Sequence, residues 1–361
     1  MRRSNKLQRI LILGLSGPIV ALNIWLLSQV FRYFEHLITV LAIAAILSFL
    51  LNYPVRSLGR FRFNRNQAVV IVLLLTLTLL IILGVTLVPL VIDQTTELFK
   101  EIPEWLNTST QNLNNWDTWA KQRRLPLDLK VFRNRINESI GTQGQGVATQ
   151  VVGFALGTVY GLLDLVLVIV LAFYMLLYGD RLWQGLINLL PPHMGLPFSE
   201  SLRLNFQNFF ISQLLLGVFM MVTLTPLFLA LKVPFPILFA LLIGSAEVIP
   251  FIGATLGIGL VTILVMLQNF GLGIQVAIAA IFMQQIKDNL IAPKLMGDFI
   301  GLNPILIFIS LLVGGQIAGL LGVIIAVPVA GTIKGTLDII RSHRQSPMLR
   351  SEAFFQDQPH P

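Results

Sequence analysis

Long apolar runs, interrupted by glycine, proline and a few charges, alternate with short polar connections along most of this chain. A helix needs roughly 20 apolar residues to cross a bilayer. About eight runs meet that pattern: residues 10–30, 37–53, 68–92, 151–178, 209–231, 236–267, 274–295 and 304–333. The sixth is longer than one crossing requires and carries Pro250 near its middle, so it is expected to be broken or re-entrant. Residues 93–148 form a polar segment between the third and fourth runs. There Leu98, Ile102 and Leu106, then Phe132, Ile136 and Ile140, recur at helical spacing.

The pattern predicts an all-α, polytopic integral membrane protein with a helical polar insert between its third and fourth transmembrane helices. Its expected parts are an N-terminal membrane region of three spans (1–92) and the external insert (93–148). A C-terminal membrane region of about five spans (149–340) and a disordered cytoplasmic tail (341–361) follow. Trp105, Trp116 and Trp119 of the insert fit either a headgroup-level belt or a packed helical cap.

Composition narrows the class. Hydrophobic residues make up 55% of the 361 and charged residues 12%, with a mean hydropathy of +0.80. A soluble domain carries about a quarter charged residues, so this chain requires the lipid bilayer as a partner. The net charge of +8 would suit nucleic acid, but its sources sit on short flanks of apolar runs. They are Arg2, Arg3, Lys6 and Arg9, then Arg56, Arg60, Arg62 and Arg65, then Arg341, Arg344 and Arg350. Basic residues so placed set membrane orientation, which puts both termini in the cytoplasm and the insert outside. No nucleic-acid partner is expected. The first run is read as a retained signal anchor, since no clear small-x-small cleavage site follows it.

Several activities lack their residues. Without cysteine there are no disulfides and no thiolate metal sites. Neither a phosphate loop nor an HExxH zinc motif occurs. The four histidines, His36, His193, His343 and His360, lie outside the middle of any run, which disfavours bound haem. No enzyme activity, cofactor or metal is expected, and coupled transport would draw on an ion or solute gradient.

Glycine spacing predicts close helix packing. Gly153, Gly157 and Gly161 form a small-xxx-small ladder, and Gly253 with Gly257 and Gly315 with Gly319 repeat the spacing. The partner helix could belong to the same subunit or to another, and a homo-oligomer is expected. Asp164 shares the face of Gly161 and either bonds a neighbouring helix or lines a path.

Two polar constellations stand out. In Ser245-Ala246-Glu247-Val248-Ile249-Pro250, the proline lacks an N–H, which is expected to leave the Ala246 carbonyl without a partner. Broken helices of this kind build substrate and ion sites in transporters. Glu247 therefore reads as a proton, cation or substrate site, or else as an acid bonding across helices. The second constellation is Gln284, Gln285, Lys287, Asp288 and Asn289, followed by Pro293, Lys294 and Asp298. Gln284 and Asp288 share one helical face, Gln285 and Asn289 the next. Pro293 is expected to free the Asn289 carbonyl. Such density fits a polar cavity or gate, although a span end would also carry it. Pro-Ile-Leu opens both the sixth and the eighth runs, at 236 and 304, a trace of an internal repeat.

These residues carry a resemblance. Gln285-Ile-Lys-Asp-Asn-Leu-Ile-Ala-Pro-Lys-Leu-Met-Gly, Gly301-Leu-Asn-Pro, Gly314-Gly and Gly319-Leu-Leu-Gly-Val-Ile-Ile-Ala-Val-Pro look like the autoinducer-2 exporter family of PerM-type permeases. Glu247-Val-Ile-Pro-Phe-Ile-Gly and Phe173-Tyr-Met-Leu-Leu-Tyr-Gly-Asp-Arg are similar to two further elements of that family. The resemblance spans about Arg9 to Asp338 and implies a multi-pass transporter of the bacterial inner membrane. It implies export or permeation of a small hydrophilic solute such as a signalling molecule, coupled to an ion gradient. Exchange of sodium or lithium for protons, or an oligomeric channel-like pore, are the alternatives. Since the family's acidic position is present as Glu247, a cation or proton role stays open there.

Overall fold

The computed structural model describes residues 32–60, 63–122, 147–250, 252–296 and 302–356, together with 22, 23, 26, 29 and 30. For 109–122, 147–160 and 341–356 it describes the helix path alone. All regular elements among these residues are helical: α1 (Glu35–Gly59), α2 (Arg65–Gln122), α3 (Val147–Ile187), α4 (Pro192–Ala230), α5 (Pro236–Ala246), α6 (Gly253–Gln268) and α7 (Phe270–Ile286). A π turn at Lys287–Ile291, the short α8 (Ala292–Met296) and α9 (Pro304–Gln356) follow.

Local chemistry sets several of the boundaries. Pro192 and Pro236 sit in the first turns of α4 and α5, where a missing N–H removes no helical bond. The Asn269 side chain caps α7 by accepting from the Leu272 N–H at 3.1 Å. Lys232 and Phe235 adopt left-handed φ of 56° and 51°, and this tight turn folds α5 back against α4.

Six helices among the described residues are long and apolar enough to cross a membrane. The first expected span lies almost wholly outside the described residues. The sixth is broken, as its length and Pro250 led us to expect: residues 236–267 do not form one spanning helix. They divide into α5 and α6, of 11 and 16 residues. At 1.5 Å per residue these reach about 16 and 24 Å, short of a bilayer core of about 30 Å. Together they make an antiparallel hairpin, with Gly253 against Ala246 and Gly257 against Ile243.

The eighth expected span is folded as well. Within α9 the helix breaks at Ala318 (φ −137°, ψ 28°) and Gly319 (φ 53°, ψ −136°). A side chain at Gly319 would be strained, because L-residues rarely adopt that region. Beyond the break the chain doubles back until the Gly314 and Gly322 backbones touch. The two Pro-Ile-Leu segments thus both open helical hairpins. Past Ser342, α9 stays helical to Gln356, through much of the stretch expected to be disordered.

Two packing groups result. α1 and α3 run parallel, with Val40 and Ala44 beside Val168 and Ala172, and Val55 near Leu176. The α5–α6 hairpin is enclosed by α2, α4 and α7, while both arms of α9 pack on Phe209 and Phe210 of α4. α2 links the groups, because it continues unbroken from its apolar run into the polar insert. There Leu98 and Trp105 are buried, with the Trp105 ring 6.1 Å from Phe235. Gln94 Oε1 also accepts from the Leu238 N–H at 3.0 Å. Trp105 therefore belongs to the packed core. Phe132, Ile136 and Ile140 lie outside the described residues, as do the side chains of Trp116 and Trp119.

Candidate functional site

The tip of the α5–α6 hairpin is pressed against α4 by a glycine pair. A Cβ on Gly217 would lie 2.6 Å from the Gly244 carbonyl oxygen, and one on Gly244 would lie 2.7 Å from that of Gly217. The two backbones therefore touch. One turn before Gly217, Gln213 Nε2 donates to the Glu247 carbonyl at 2.6 Å.

The break at Pro250 is repaired differently from the expectation. The Ala246 carbonyl keeps a partner, accepting from the Ile249 N–H at 3.0 Å, and Ser245 accepts from Val248 at 3.2 Å. A tighter last turn closes the helix in this way. The carbonyl that needs outside help is that of Glu247, and Gln213 supplies it.

This arrangement points the Glu247 side chain at α7. Lys287 Nζ donates to Glu247 Oε1 at 2.8 Å and Oε2 at 2.7 Å, and both residues are buried, 4% and 3% exposed. Asp288 Oδ1 lies 3.1 Å from the same ammonium, and Gln284 Nε2 donates to Asp288 Oδ2 at 3.1 Å. The π turn at Lys287–Ile291, closed by the Ala292 N–H on the Lys287 carbonyl, is the form the expected break at Pro293 takes. One ammonium thus stands between two carboxylates.

A cavity of about 750 Å³ opens on this cluster. Glu247, Pro250, Gln284, Gln285, Lys287 and Asp288 line it, with Gln213 and Thr262 and apolar walls from α4, α6 and α9. Two of its buried polar atoms, Thr262 Oγ1 and Gln284 Oε1, have no hydrogen-bond partner among the described residues. Buried polar groups are ordinarily paired, so these two are open to water or a solute.

Other expected site residues fall elsewhere. Asn289 donates to the Gln285 carbonyl and to Gln285 Oε1, both at 2.9 Å, on the adjacent exposed face. Lys294 lies in α8, which Ser212 Oγ ties to α4 through the Leu295 carbonyl at 3.2 Å. Asp298 is outside the described residues. Asp164 does not line the cavity and lies 3.4 Å from His36 Nε2 at one end of the α1–α3 pair.

The glycines divide. Gly253 and Gly257 sit at the tight hairpin contact, and a Cβ on Gly315 would lie 3.2 Å from Val323 across the fold of α9. Gly319 meets nothing within 4 Å and serves the turn, not a contact. Gly161 also meets nothing within 4 Å among the described residues. The surroundings of Gly153 and Gly157 lie outside the description.

Gln213, Thr262, Gly217 and Gly244 were not anticipated. Gln213 had a readable signal, a lone amide in the apolar run 209–231. A buried amide there must find a partner.

The profile of the AI-2E family transporters matches residues 15–342. A Synechocystis protein named as a candidate transport protein is 41% identical over 357 residues, covering 95% of this chain and 90% of its own. A candidate permease of Escherichia coli, PerM, is 26% identical over 314 residues, 84% of this chain and 88% of its own. A Halobacillus andaensis protein named sodium-lithium/proton antiporter is 28% identical over 305 residues, 79% and 84% of the two chains. The chain belongs to the AI-2E transporter family, a class of multi-pass membrane permeases.

Proposed function

We propose that the protein carries a small hydrophilic solute through the cavity at the hairpin tip, driven by an ion gradient coupled at Glu247, Lys287 and Asp288. The observation that carries this reading is the buried Glu247–Lys287 pair opening onto a cavity with two unpartnered polar atoms. A buried ion pair contributes little net stability, because desolvation offsets its attraction. Its position on a cavity wall fits a switch: proton or cation entry beside Glu247 or Asp288 would loosen the Lys287 contact and reshape the cavity.

Exchange of sodium or lithium for protons is a second reading. It is favoured by the excess acid beside Thr262 Oγ1 and Gln284 Oε1, an oxygen-rich set suited to a hard cation. The name of the Halobacillus relative, a sodium-lithium/proton antiporter, points the same way. In either reading the protein lies in a bacterial inner membrane with both termini cytoplasmic and acts as a homo-oligomer. The open face at Gly161 supports that assembly.

Flux into sealed proteoliposomes under imposed proton, sodium and solute gradients tests the function. Saturable, gradient-coupled flux is expected. Non-saturating current would mean a pore, and absence of any flux would contradict transport.

A further inference from the structure

A second cavity, of about 420 Å³, lies between α1, α3 and α4 and shares no lining residue with the first. Arg56, Arg65 and Arg203, from three different helices, line it. Among the described residues Asp180 is the one carboxylate on its wall, and Arg65 takes it, also donating to the Leu176 carbonyl at 3.2 Å. Arg56 is repelled by Arg203 and by Arg65, and Asp180, already paired with Arg65, also attracts it. Among the described residues, neither Arg56 nor Arg203 is in a salt bridge. Three cations against one anion leave two positive charges in excess in this cavity.

Polarity also changes along the cavity. On α1 its lining runs from Ala45 and Phe49 to Asn52 and Arg56, and on the parallel α3 from Met175 to Asp180 and Trp183. One end is therefore apolar and the other cationic. At the cationic end Ser199 Oγ accepts from Trp183 Nε1 at 2.7 Å, which leaves the serine O–H free to donate. Guanidinium groups match phosphate oxygens in geometry and charge. Basic pockets between transmembrane helices are suited to anionic lipid head groups.

We propose that this cavity binds a phosphate group between Arg56 and Arg203, supplied by an anionic phospholipid whose chains follow the apolar end. The bound phosphodiester offsets one of the two excess positive charges and ties the α1–α3 pair to α4, the helix that also holds Gln213 at the first cavity.

Full-length protein in phosphatidylcholine nanodiscs provides the test, with thermal unfolding followed as phosphatidylglycerol replaces part of the lipid. Inorganic phosphate added to phosphatidylcholine discs forms a parallel arm. Phosphatidylglycerol is expected to raise the Tm and inorganic phosphate to leave it unchanged. Arg56→Gln with Arg203→Gln should weaken the lipid response roughly fivefold per arginine removed. Arg56→Lys with Arg203→Lys keeps the charge without the planar fork and should weaken it less, which serves if the first pair misfolds. An equal response to inorganic phosphate would overturn the lipid source. No response to either probe, or an undiminished response in the Gln pair, would overturn the site.

Discussion

Lys287 and Glu247 stand 40 positions apart in the chain, yet the lysine ammonium lies 2.7 and 2.8 Å from the two carboxylate oxygens. Four separate features produce that contact. The hairpin break places Glu247 at the end of α5, the Gly217–Gly244 crossing holds this end to α4, and Gln213 fixes the Glu247 backbone. The π turn then presents Lys287 and Asp288 from α7. The pair is a product of tertiary structure, and its energetics can be separated from its role in transport.

Removing one charge should be worse than removing both. Lys287→Met leaves Glu247 buried beside Asp288 with no cation, a loss of about 3–5 kcal/mol for a buried pair. Glu247→Gln should cost less than that, because Asp288 still pairs with Lys287. The double variant Glu247→Gln/Lys287→Met should be more stable than Lys287→Met alone. Thermal unfolding in detergent checks the cycle, and strictly additive losses would show that the two side chains do not interact.

Gly244→Leu drives a side chain into the Gly217 backbone. A loss of about 1–3 kcal/mol or more is expected from overpacking. Gly161→Leu should leave unfolding of the single chain unchanged, since that position is open. If it dissolves an assembled species instead, the α3 face is a subunit contact. A melting profile combined with size-exclusion chromatography reads both outcomes.

Gln213→Leu leaves the Glu247 carbonyl buried without its donor. The expected destabilisation is about 1–3 kcal/mol. Gln213→Asn keeps the amide on a shorter arm and should recover only part of it. Unfolding of the two variants side by side reads the difference, and a Leu variant as stable as wild type would remove Gln213 from the site's framework.

The two polar constellations were legible because a carboxylate, a lysine and several amides are conspicuous in apolar sequence. Their pairing was not, because no spacing rule relates residues on different helices. The glycine pattern misled in an instructive way. Gly315 and Gly319 have packing spacing, but Gly319 is spent on a left-handed turn. Gly217 and Gly244 make a tighter contact with one glycine from each helix, a pattern that a search along one helix misses. Hydropathy falls near residue 93, yet α2 continues to Gln122. A change in composition need not end a helix.

Orientation is open to labelling, since the chain has no native cysteine. Single cysteines replacing Ser57, Ser109 and Ser351 should react with an impermeant maleimide in intact cells only at position 109. Labelling at 57 but not at 109 would invert the topology.

Gradient-driven flux through the neutral pair Glu247→Gln/Lys287→Gln separates folding from transport. Both charges are removed together, so no buried charge is left facing its missing counterpart. The account predicts a stable, membrane-inserted protein whose coupled flux in proteoliposomes is lost. Wild-type flux with an unchanged pH profile would contradict it and reduce the Glu247–Lys287 pair to a structural contact.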